Sequence, residues 1–190
     1  MTKQQRAIIN RVIALLKERY QSDTTGHDWW HLERVWKMAK RLAKGERADH
    51  FLVEMAALLH DVDDSKIKRE GEAEFSRTEV LLQELHIDAG VKERLYEIIR
   101  TVSFHGGFNT PPTSLEGKIV QDADRLEAMG AIGIARVFAY GGHAGHKIYD
   151  PAVKPALHQT FADYTKHDGT QINHFYEKLL LLKDRINTAQ

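Results

Sequence analysis

In Glu54-Met55-Ala56-Ala57-Leu58-Leu59-His60-Asp61-Val62-Asp63-Asp64 an apolar helix runs straight into a cluster of ionisable groups. Phe51, Leu52, Met55, Leu58 and Leu59 recur at helical spacing, with the small Ala56 and Ala57 between them, so the first part reads as a buried helix. His60-Asp61 then arrives, with Asp63 and Asp64 close behind. Burying imidazole and carboxylate is costly unless something pairs with them. A divalent metal does so economically, because it takes neutral imidazole and ionised carboxylate together. The doublet alone leaves a second reading open, in which His60 closes the helix where the dipole favours a cation.

Outward from that stretch, the composition bounds the answer. The 190 residues are long enough for a real core, and 42% hydrophobic with 28% charged residues is ordinary for a soluble globular protein. A formal charge of zero argues against general affinity for nucleic acid or anionic membrane. The chain has no cysteine, which removes disulfides, thiolate zinc sites and cysteine nucleophiles. No apolar run is long enough to span a bilayer, and no signal-peptide core follows Met1-Thr2-Lys3. A cytoplasmic protein is expected. Histidine is the compositional oddity, with 11 copies, many beside Asp or Gly.

Apolar periodicity predicts helices over about Lys3 to Tyr20, from near His27 to Gly45, and from Ala48 to His60. Phe75, Val80, Leu81, Leu82 and Leu85 mark a fourth, and Asp88 caps a fifth. One long helical segment is read from Leu115 to about Tyr140, and a last helix from Gln171 to Asn187. No β-alternation of useful length interrupts them. The expected fold is all-α: one compact helical domain over residues 1–190, with its motifs in 27–140 and a C-terminal helical completion over 150–188.

Three helices carry chemistry. His31 lies one turn into the second helix, His60-Asp61 ends the third, and the sixth holds Asp122 and Asp124 inside its apolar pattern. Metal sites in helical bundles are built from such inward residues on separate helices. Two His and two Asp suit one divalent ion, Mn²⁺ or Mg²⁺ first, with Fe²⁺, Zn²⁺ or Ni²⁺ as alternatives. His27 and Asp28 read as partners that orient a ligand. His143 and His146 form a His-x-x-His pair common by chance, and core packing accounts for at least two of Trp29, Trp30 and Trp36.

The order His31 … His60-Asp61 … Asp124, with the run Gln121-Asp122-Ala123-Asp124-Arg125-Leu126-Glu127-Ala128, resembles the HD-domain superfamily of metal-dependent phosphohydrolases. Further segments are similar to a small bacterial branch that includes nucleoside triphosphate pyrophosphohydrolases. They are Gly26-His27-Asp28-Trp29-Trp30-His31 with Arg34-Val35, His60 to Lys66, Gly130 to Arg136, and His174 to Leu179. The resemblance implies His31, His60, Asp61 and Asp124 as metal ligands, and favours Asp124 over Asp122. It also implies Asp64, three residues after Asp61, as the acid or base beside the attacking water. Lys66 and Arg125 flank ligand segments, and His105 sits beside Gly106-Gly107; these three are candidate phosphate contacts, with surface or loop roles as alternatives.

The expected function is hydrolysis of a small phosphorylated substrate, most simply a nucleotide, with dNTP cut to dNMP and pyrophosphate as one form. Two alternatives stand beside it: a metal- or nucleotide-binding regulator, and a nucleic-acid phosphodiesterase, the latter disfavoured by the zero net charge. Whether the chain forms a homo-oligomer is left open.

Asp64 separates catalysis from binding. Asp64→Asn is expected to lower kcat about 10²–10⁴-fold while metal content is retained. Steady-state kinetics and metal analysis on one preparation check this, and loss of the metal together with activity would make Asp64 a ligand or a support instead.

Overall fold

The computed structural model describes residues 1–63, 71, 73–104, 107–108, 110–156, 160 and 169–189, and all regular structure among them is helical. Seven helices come first: α1 Lys3–Tyr20, α2 Trp29–Leu42, α3 His50–Leu59, α4 Ser76–Glu84, α5 Ala89–Val102, α6 Leu115–Met129 and α7 Ala131–His143. A short α8, Gln171–Glu177, runs into a 3₁₀ segment, Leu179–Arg185. No helix of the described residues is long and apolar enough to cross a membrane.

The core forms around α3. Every residue from Phe51 to Leu59 is buried, as expected of a helix apolar on all sides. It packs against α1, α2, α5 and α6. Ile9, Val12 and Leu16 of α1, Leu32, Val35 and Ala39 of α2, Leu95 and Val102 of α5, and Ile119, Val120 and Ala123 of α6 close over it. Glu54 is the charged exception, and its Oε2 accepts from the Trp36 indole at 2.9 Å with Arg6 alongside at 3.5 Å.

Side-chain caps fix several helix starts. Asp28 accepts from the His31 backbone N–H and Asp49 from Phe51 and Leu52, each satisfying donors that a helix start leaves free. Helix α2 therefore begins after His27, not at it. Helix α4 is capped from a distance. Phe75 at its entry is left-handed (φ 58°) and supplies no side-chain cap, while the Asp63 carboxylate accepts from Arg77 N at 3.0 Å and Thr78 N at 2.9 Å. The turn that follows His60-Asp61 is thus fastened to the start of α4, at a strength typical of an N-cap, about 1 kcal/mol.

Two segments differ from expectation. The apolar pattern from Leu115 to Tyr140 breaks at Gly130, which is extended (φ −78°, ψ 171°), so that α7 turns back on the end of α6. Gly133 makes the fold-back feasible, because a Cβ there would collide with the backbone of Ala128 and Glu127. The last helix is interrupted at Lys178 (φ −138°, ψ −66°), and the chain continues as 3₁₀. At three residues per turn Leu179 and Leu182 share one buried face. Beyond it, Asn187 and Thr188 are drawn onto Asp122 of α6.

Candidate metal centre

Helices α2, α3 and α6 bring His31, His60 and Asp124 together, with one ligand atom from each lying within 4.8 Å of the others. Asp124 Oδ1 is 3.8 Å from Nε2 of both His31 and His60. Asp61 lies against the same two nitrogens: Oδ2 is 3.1 Å from His31 Nε2, and Oδ1 is 3.3 Å from His60 Nε2. Ligands about 2.1 Å from an ion stand about 3.0 Å apart along an octahedral edge and about 3.4 Å apart in a tetrahedron. The observed spacings run from 3.1 to 3.8 Å, at or somewhat above those values. Both Nε2 atoms are buried without a hydrogen-bond partner, an expensive state for an imidazole nitrogen and the expected state of one that receives a cation. On that observation the residues fit a divalent metal.

The far side of each histidine is also engaged. His60 Nδ1 is 2.9 Å from the Ala57 carbonyl, which accepts only from an Nδ1–H and so leaves the Nε2 lone pair facing inward. His31 Nδ1 is 3.2 Å from Glu127 Oε2, close enough for charge attraction though off line for a hydrogen bond. His27 precedes α2, yet its Nδ1 reaches Asp61 Oδ2 at 3.0 Å. It therefore meets the centre through a loop position and not through a shared helix face with His31.

Charge within the cluster is balanced toward a cation. Burial alone would raise the Asp61 pKa, but His60, His27 and His31 outweigh it and hold the carboxyl well below its usual range. Burial would likewise depress His31, and Asp61 and Glu127 on its two edges overcome that and raise it. Glu127 follows the same logic: against burial, His31, Arg136 and Arg34 hold its pKa at about 2. The Asp124 side chain is 25% exposed against 1% for each histidine, so the centre opens on the Asp124 side.

The two aspartates of α6 have separate environments. Asp122 is fully buried and accepts from the backbone N–H and side-chain amide of Asn187 and from the backbone N–H and hydroxyl of Thr188. It anchors the C-terminal segment.

Arg125 is also buried and donates to the Arg185 carbonyl. Burial, with the Arg185 guanidinium nearby, lowers its pKa from the usual arginine value. Its described contact is thus with the chain's own C-terminal segment. Asp64, Lys66 and His105 lie outside the described residues. His143 and His146 are exposed and belong to no metal-capable group among the described residues. Trp29 is core, Trp36 packs against the core, and Trp30 is exposed.

Sequence reasoning missed Glu127, Arg34 and Arg136 as parts of the site. Arg34 Nε and Nη2 donate to Glu127 Oε1 at 2.9 and 2.7 Å, and Arg136 Nη1 donates to Oε2. A signal was present: Glu127 stands three residues after Asp124 and Arg34 three after His31, each one turn along the same helix face.

The environments of the α6 pair set opposite expectations. Asp124→Asn should strip bound Mn²⁺ and leave thermal unfolding near wild type. Asp122→Asn should keep the metal and cost about 1–3 kcal/mol of stability, since an amide cannot accept all the donors that Asp122 satisfies. Metal analysis beside denaturant unfolding reads both, and the reverse pattern would exchange their roles.

The family model described as "HD domain" matches residues 29–129. A solved Lactobacillus plantarum protein superposes with a TM-score of 0.87 at 42% identity, covering 99% of this chain and 86% of that one. A Bacillus thuringiensis HD-superfamily hydrolase gives a TM-score of 0.66 at 41% identity over 97% and 85% of the two chains. The Bacillus subtilis protein YpgQ is 39% identical over 170 residues, 87% of this chain and 74% of YpgQ. Its structure in complex with ADP superposes with a TM-score of 0.73 at 34% identity, covering 98% of this chain and 84% of that one. With more than half of its length matched by the family model, this chain belongs to the HD-domain family.

Proposed function

We propose that this protein is a metal-dependent phosphohydrolase acting on a small nucleotide, in its most specific form splitting a deoxynucleoside triphosphate into the monophosphate and pyrophosphate. The observation that carries the metal-dependent part is the pair of buried, unpartnered Nε2 atoms of His31 and His60 between the Asp61 and Asp124 carboxylates. A bound divalent ion supplies Lewis-acid polarisation of a phosphoryl oxygen and lowers the pKa of water. The chain's own contribution is to hold two neutral imidazoles and two ionised carboxylates in fixed orientation, with the substrate side at Asp124.

Hydrolysis needs water to attack phosphorus, a P–O bond to break, and a base to take the proton of the water. Asp64 is the residue assigned to that proton, on its offset from Asp61. Asp63, fastened to the start of α4, fixes the chain just before it.

The nucleotide part of the reading is supported by YpgQ, whose structure was solved with ADP. A formal net charge of zero favours a small substrate over a nucleic-acid polymer, since polymer binding draws on several phosphate contacts. Mn²⁺ or Mg²⁺ suits the mixed nitrogen and oxygen donor set with room for water. A regulator that binds nucleotide without turnover would share the fold, and only catalysis distinguishes it.

A panel of ribo- and deoxyribonucleoside mono-, di- and triphosphates, assayed with Mn²⁺ for phosphate and pyrophosphate separately, checks the reading. The expected result is metal-dependent turnover, abolished by His60→Ala, with pyrophosphate as the product from triphosphates. Binding of nucleotide with no product from any member of the panel would favour the regulator.

A further inference from the structure

Glu127 carries more charge contacts than its place in the fold requires. Its side chain is 5% exposed, yet Arg34 of α2, Arg136 of α7 and His31 all lie on it, the two arginines through hydrogen bonds. A buried carboxylate with cationic partners is a poor way to gain stability, because apolar side chains of the same volume usually do as well or better. What the arrangement provides is orientation. Arg34 occupies Oε1 with two donors, and Arg136 holds Oε2. The carboxylate is held at both oxygens, with Oε2 3.2 Å from His31 Nδ1.

We propose that Glu127, clamped by Arg34 and Arg136, is the positioning residue that keeps the proton of His31 on Nδ1 and so presents the Nε2 lone pair to the metal. The proposal rests on the metal-centre reading above. Without Glu127 the ring has a competing arrangement, in which Nε2 carries the proton and points it toward Asp61 Oδ2, 3.1 Å away. That tautomer cannot bind a cation through Nε2. With Glu127 in place, a small ring rotation converts the present off-line contact into an Nδ1–H···Oε2 hydrogen bond, and the two tautomers are no longer equivalent. The carbonyl of Ala57 does for His60 what Glu127 does for His31.

The clamp reaches further through Arg136. Its Nε donates to the Gly26 carbonyl, one residue before His27, the side chain that contacts Asp61. Gly26 is left-handed (φ 93°), and a Cβ there would lie 3.1 Å from Arg136 Cγ, so the loop closes on the arginine stem. One guanidinium on α7 thus backs both Glu127 behind His31 and the loop that sets His27 behind Asp61.

Two measurements test this, with Mn²⁺ and Zn²⁺ as probes. Titration followed by the electron paramagnetic resonance of free Mn²⁺ should show one bound ion in the unsubstituted protein and about 10–100-fold weaker binding in Glu127→Gln, the usual effect of losing a group that orients a ligand. In the Zn²⁺-loaded protein the nitrogen-15 spectrum should show a His31 Nδ1–H that is shifted downfield and exchanges slowly, and the signal should vanish in Glu127→Gln. Equal Mn²⁺ affinity in the two proteins would overturn the role of Glu127 while leaving the metal centre standing. Failure of the unsubstituted protein to bind Mn²⁺ would instead sink the metal reading on which it rests. Should Glu127→Gln not fold, the unsubstituted spectrum decides alone, since an Nδ1–H exchanging as freely as an exposed imidazole contradicts the proposal.

Discussion

Two buried, unpartnered imidazole nitrogens in the helical interior are the constraint that orders this molecule. Nε2 of His31 and of His60 are buried, unpartnered, and flanked by Asp61 and Asp124. Left alone, such an arrangement costs free energy at every member: desolvated carboxylates, orphaned ring nitrogens and a helix end carrying charge into the core. The surrounding architecture makes sense as what holds that cost in place. Helix α3 is buried from Phe51 to Leu59, so His60 and Asp61, which follow directly at its C-terminal end, cannot move out to solvent without unpacking the core.

A second layer of contacts then decides where each group points. Ala57 O, Glu127 and His27 each meet one member of the cluster from behind. Asp63 ties the outgoing turn to α4, and Asp122 ties the C-terminal segment to α6. Together they fix ring planes and carboxylate directions, and orientation is what distinguishes a site that binds metal from a cluster that merely contains suitable residues.

Much of the fold was legible because the helices are long and strongly periodic. The third was plainest, since a helix with apolar residues on every face has nowhere to go but the middle. The break at Gly130 was hidden by its neighbours: Met129, Ala131 and Ile132 continue the helical pattern across it, and one glycine in a helix costs only about 1 kcal/mol. The 3₁₀ turn at Leu179–Arg185 was hidden for a related reason, because four consecutive leucines fit any period. At the site, the ordered His31, His60-Asp61 and Asp124 could be named before any coordinates. The choice of Asp124 over Asp122 rested on resemblance alone; what engages Asp122 is the C-terminal segment, Asn187 and Thr188, more than sixty positions away in the chain. Glu127 was passed over because a lone glutamate within a helical segment looks like solvent-facing surface until Arg34 and Arg136 are seen to bury it.

The central claim is that these four side chains, on three helices, hold one divalent cation. Anomalous diffraction from crystals grown with Mn²⁺ tests it most directly. The account predicts a single strong peak about 2.0–2.2 Å from Nε2 of both His31 and His60, with carboxylate oxygens of Asp61 and Asp124 in its coordination sphere. A peak elsewhere, for example between His143 and His146, or none at the histidine pair in crystals soaked at saturating Mn²⁺, would contradict it.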